Sequence, residues 1–200
     1  MKLVDVLKHV HPSDQLPDEI DLSEIETELD RLWRETLPNG LEHGCCMELN
    51  ADSTLSLTHE VVGSSDAITR LCHNVDNDHK NYKGFIHTHP LHKDGSEDVG
   101  FSYQDFAVTL EDGDQMAIVI CDQFVYALVR NQATRPRCVI GYSEYLTYRQ
   151  LSKDYMTRSG NGEFPVAVAQ LRFNLDMCHR LGIAFYAGMR GRPLRRLFRP

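Results

Sequence analysis

Apolar positions change period several times along this chain, and each change predicts an element. Ile25, Leu29, Leu32 and Trp33 recur at helical spacing behind Ser23 and Glu26, a capping-box pair. Residues 24–36 are therefore expected as an amphipathic helix, stopped by Pro38-Asn39-Gly40. Leu41–Leu49 and Thr54–Val62, separated by Asn50-Ala51-Asp52-Ser53, predict a hairpin. Ser64 and Ser65 are expected to cap a short helix reaching about His73, with the polar loop NVDNDHKNYK after it. Gly84–Thr88 reads as a short buried strand, and Ser102 as the cap of a helix through about Leu110. Gln115–Cys121 and Phe124–Val129 predict a second hairpin. Helices over about 143–157 and 166–181 follow the loops NQATRPR and SGNGEFP, and GIAFYAG predicts a last strand. Residues 1–22, broken by Pro12 and Pro17, read as an arm, and 23–200 as a single domain with C-terminal helices and a basic tail. The order predicts an α+β fold, a mixed central sheet flanked by helices.

Composition narrows the class. The chain has 200 residues, 42% hydrophobic and 25% charged, enough apolar mass for a core in one domain. No apolar run approaches the ~20 residues of a membrane span, and the N-terminus is too broken and too acidic for a signal peptide. A cytoplasmic protein without a membrane partner is expected. The net charge of -8 argues against nucleic acid as a partner. Charge is uneven, however: residues 14–30 are acidic, while MRGRPLRRLFRP carries five arginines and reads as a solvated, partly disordered end. Six cysteines without C-x-x-C spacing read as reduced, buried small hydrophobes.

The stretch GFIHTHPLHKDGSEDVGFSYQDF carries the chemistry. His87 and His89 are i and i+2 on a strand, so both imidazoles face one side. Pro90 cannot donate to a ladder and ends that strand. A zinc hydrolase site needs three protein ligands and one open position. Asp105, at the third helical position behind Ser102, can supply the third ligand from a second element. Ser102-x-x-Asp105 is equally a plain capping box, and the ten histidines make one H-x-H pair weak evidence by itself.

H-x-H-P followed by S-x-x-D resembles the JAMM signature of the JAB/MPN metalloproteases, over roughly Leu41 to Arg130. The resemblance implies that family's sheet-and-helix layout, akin to that of cytidine deaminases. It implies a zinc ion on His87, His89 and Asp105, and a catalytic Glu on an earlier strand. Glu42, Glu48 and Glu60 are the candidates; Glu42, opening LEHGCCMEL shortly before a Gly, is favoured as general base. Ser102 is expected to steady the developing oxyanion. His43 and His92 read as ordinary polar neighbours. The family usually has seven residues between the second His and the Ser, whereas Pro90 to Phe101 makes twelve. That insertion is expected to be a mobile loop at the mouth of the cleft, outside the core. Asp94 or Asp98, within it, could replace Asp105 on the metal, and Asp98 could alternatively hold a histidine nitrogen.

The resemblance further implies a zinc peptidase or isopeptidase acting on the amide bond after the C-terminus of a ubiquitin-like protein. Stand-alone prokaryotic members often work beside the activating and conjugating enzymes of the same pathway, including in phage defence. A non-catalytic MPN scaffold, a zinc hydrolase of a small amide and a DNA-repair-associated relative are the alternatives. The intact His, His, Ser, Asp set argues against the scaffold, and the acidic chain against DNA.

Overall fold

The computed structural model describes residues 1–65, 67–68 and 81–200. Runs such as MAIVI and FVYALV read as continuous apolar stretches because both faces of the sheet that they build are covered. These runs are β5 (Met116–Ile120) and β6 (Phe124–Val129). Met116, Ile118 and Ile120 enter one core cluster, and Ala117 and Val119 a second on the opposite face, as period-two geometry requires. The other strands are β1 (Glu19–Ile20), β2 (His43–Leu49), β3 (Leu55–Val62), β4 (Tyr82–Thr88), β7 (Ala184–Met189) and β8 (Leu194–Phe198). The described residues form one eight-stranded mixed sheet, β1-β8-β7-β6-β5-β4-β2-β3, in which β4 and β5 run parallel.

One face carries α1 (Leu3–Leu7) and α2 (Glu26–Thr36), whose buried side chains join the first cluster. The other carries α3 (Tyr103–Asp112), α4 (Tyr142–Gly160) and α5 (Val166–Leu181). The α+β reading, with a mixed central sheet between helices, is therefore the observed architecture.

Several local expectations are corrected. Residues 1–22 are no peripheral arm: Leu3, Val6, Leu7, Leu16, Ile20 and Leu22 are all buried in the first cluster. The basic tail is ordered as β8 and lies between β7 and β1. Its arginines meet the acidic N-terminal region, Arg195 with Glu19 at 3.1 Å and Arg196 with Asp18. Ser23 does not cap α2: the helix begins at Glu26, Ile25 occupies the cap without a side-chain bond, and the Ser23 N–H donates to Asp21 Oδ1 at 2.9 Å. Cys46 is disulfide-bonded, against the expectation of six reduced cysteines, while Cys45, Cys121, Cys138 and Cys178 are free. The helix expected after Ser64 and most of the following polar loop fall outside the described residues. No described helix is long and apolar enough to cross a membrane.

Candidate metal centre

Alternation along β4 places the centre. Ile86 joins the first core cluster and Thr88 bonds Thr36 of α2 at 2.7 Å, so the residues between and beyond them, His87 and His89, face α3. The His89 N–H still pairs with Ile120 O at 2.9 Å, which carries the ladder to Pro90. Both imidazoles are thereby held on rigid backbone, with 1% and 6% of their surface exposed.

Asp105 arrives from the first turn of α3. Ser102 Oγ accepts the Asp105 N–H at 3.2 Å, and Asp105 Oδ2 accepts the Ser102 N–H at 2.8 Å. The capping box and the candidate ligand are thus the same residues. Fixing the helix start also fixes the carboxylate.

The donor atoms converge. His87 Nε2 lies 3.1 Å from His89 Nε2 and 3.2 Å from Asp105 Oδ1, and His89 Nε2 lies 3.5 Å from Asp105 Oδ2. Four ligands placed tetrahedrally at ~2.0–2.1 Å from zinc stand roughly 3.3 Å apart. The three separations bracket that value, so these residues fit a metal ion, and they could bind one. Burial works against charge on Asp105, yet His87 and His89 beside it hold its carboxyl well below the usual carboxylate range. Burial likewise disfavours the imidazolium of His89, but Asp105, Asp98 and Glu42 raise its pKa overall.

A cavity of about 550 Å³ opens beside the cluster, lined among others by Glu42, His89, Asp98, Ser102 and Asp105. Glu42 reaches it from the residue before β2. Its N–H donates to Ser64 O and its C=O accepts from Gly63, both at 2.8 Å, and the residue is buried. Gly44, paired with His87 across β2 and β4, leaves the room between them: a Cβ there would stand 2.7 Å from Ile86 O and from the Phe85 ring. The other two glutamates lie elsewhere. Glu48 faces His59 at 3.7 Å and Glu60 pairs with Arg31 at 2.6 Å. Asp94 is exposed and bonds Ser96, outside the cluster. Asp98 sits 3.9 Å from His89 Nδ1, on the outer side of that ring. His92 bonds Asp98 at 3.1 Å, and His43 lies 3.4 Å from Glu35.

Sequence reasoning missed the support behind the loop. Gln170 and Asn174, i and i+4 on α5, grip residues 98–101. Gln170 Oε1 accepts the Val99 N–H at 3.1 Å and its Nε2 donates to Asp98. Fully buried Asn174 accepts the Phe101 N–H at 2.8 Å and donates to Val99 O and Phe101 O, both at 3.2 Å. Phe101 is itself core, against the expectation of an insertion lying wholly outside it. Two amides at helical spacing among apolar neighbours were the available signal. Comparison with protein-family models, characterised proteins and solved structures finds no match to this chain.

Proposed function

We propose that this protein is a zinc-dependent peptidase or isopeptidase of JAMM type, hydrolysing the amide bond after the C-terminus of a ubiquitin-like protein. The observation that carries the proposal is the convergence of His87, His89 and Asp105 at ligand spacing, with Glu42 and Ser102 lining the same cavity. Two imidazoles with one carboxylate suit zinc and leave a fourth position open. Bound there, zinc supplies Lewis-acid polarisation of the carbonyl and an activated water at neutral pH.

The chain's own groups do the rest. The Glu42 carboxylate accepts a proton from the attacking water and hands it to the departing amine. Ser102 Oγ accepts the Asp105 N–H, which leaves its own O–H proton to donate to the developing oxyanion. Asp98, 3.9 Å from the outer nitrogen of His89 and so beyond hydrogen-bond range, contributes its negative charge beside that ring. The Gly-rich tail of the substrate occupies the cavity of about 550 Å³ that Glu42 lines, which has room for several residues. Cytoplasmic action beside the activating and conjugating enzymes of a prokaryotic defence pathway completes the reading. The free thiols of Cys45, Cys121, Cys138 and Cys178 suit that compartment, with Cys46 as the exception.

The test is metal analysis of the purified protein, followed by incubation with a ubiquitin-like protein fused through its C-terminus to a reporter. About one zinc per chain is expected, absent from His87→Ala, together with cleavage directly after the ubiquitin-like C-terminus. Full zinc content in a His87→Ala/His89→Ala double variant sinks the centre. Zinc-loaded protein that leaves every such fusion intact sinks the substrate.

A further inference from the structure

A second cavity, of about 200 Å³, shares His89, Asp98 and Ser102 with the first and then runs away from Glu42, between the 98–103 segment and helices α4 and α5. Beyond the shared residues its walls are mainly apolar, including Tyr103, Tyr155, Met156 and Phe173. At ~30 Å³ per water it has space for roughly seven waters, the room of one large side chain and too little for an extended peptide. Its inner wall is fixed before any ligand arrives, because Asn174 and Gln170 hold Val99 and Phe101 by the bonds described above. A preformed apolar cavity with a few polar groups at its mouth is the usual form of a ligand site.

We infer that this second cavity is a specificity pocket for the amine side of the scissile bond, taking one bulky apolar side chain from the residue whose amine is released. The inference rests on the peptidase reading for the direction of the chain. With the acyl tail in the larger cavity, the scissile amide lies where the two cavities meet, at His89 and Ser102. Among the described residues, the smaller cavity is the space that the first residue on the leaving side then meets. Leu, Met or Phe would displace poorly held water there and lie against Tyr155, Met156 and Phe173.

The probes are leucinamide and glycinamide, each carrying the released α-amine, titrated by calorimetry into the zinc-loaded full chain. Leucinamide is expected to bind at least ~10-fold more tightly, the discrimination available to a hydrophobic pocket. Ser152 lines the cavity from α4 and is half-buried. Ser152→Phe should fill the cavity and erase the preference with zinc content unchanged. Tyr155→Ala, which enlarges the same space, should shift the preference toward tryptophanamide and guards against misfolding of the first variant. Equal affinities for leucinamide and glycinamide in the parent, or an unchanged preference in zinc-loaded Ser152→Phe, overturn the pocket. The two readings fail separately. A leucinamide preference without cleavage of any ubiquitin-like fusion keeps the pocket and removes the substrate. Cleavage with no amide preference does the reverse.

Discussion

Glu42 and His43 are neighbours in sequence and serve opposite sides of the sheet. Glu42 lines the cavity beside the metal cluster, while His43 turns toward Glu35 of α2. The H-x-H pair was legible because period two is a property of the strand itself. The glutamate could not be chosen so directly, since three acids on two strands satisfy the same pattern and only tertiary placement separates them. Glu42→Gln is expected to keep zinc content and melting temperature and to lower kcat on a fusion substrate by ~10²-fold or more, because the amide cannot take the proton from water. Glu48→Gln, altering a side chain that faces His59, should cleave at the parental rate. A single-turnover assay of both variants decides; an active Glu42→Gln beside a dead Glu48→Gln would move the base to the other end of β2.

Elements whose ends carry local signals are legible in the sequence. For α5, Pro165 sits at the cap and Gly182 ends the helix in the left-handed conformation, so the expected 166–181 coincides with the observed Val166–Leu181. The capping box expected at Ser23 is absent: Asp21 holds the Ser23 N–H that the Glu26 carboxylate would have to accept, and no spacing rule weighs that competition. The insertion after Pro90 reads as wholly peripheral because its charged half hides an anchored one. Gly100 is the hinge of that anchor: its φ is +82°, and a Cβ would stand 2.5 Å from Asn174 Oδ1. Gly100→Ala should therefore cost about 1–2 kcal/mol from the left-handed backbone alone, a fall in Tm of about 2–8 °C for a chain of this size. Loosening the grip of Asn174 should also displace Asp98, whose charge lies beside His89. Thermal unfolding and zinc affinity measured together test this; an unchanged Tm would mean that the 98–101 segment bears no load.

Across the whole molecule, the charge asymmetry of the sequence is an internal matter. The acidic stretch and the arginine-rich end meet at Asp18–Arg196, Glu19–Arg195 and Asp30–Arg190. Neither end announced this in the sequence, because the pairing joins residues at opposite ends of the chain and has no local period. Deleting residues 1–22 tests how far the expected arm is core. Six apolar side chains would leave the first cluster, each worth ~1.5–3 kcal/mol when fully buried, a sum comparable with the ~5–15 kcal/mol net stability of a domain. The shortened chain is expected to lack a cooperative thermal transition by circular dichroism. A transition within about 4 °C of the parent would return the segment to the status of an arm.

Among the described residues, strand β1 has a single neighbour in the sheet, β8, and Glu19 is 176 positions from Arg195. Strand β1 can therefore complete its sheet pairing only once a segment so distant along the chain is present. Such distant pairing makes closure of that edge a slow, late event. Until then Leu16, Ile20 and Leu22 lack the finished sheet edge, and they offer a chaperone something to hold.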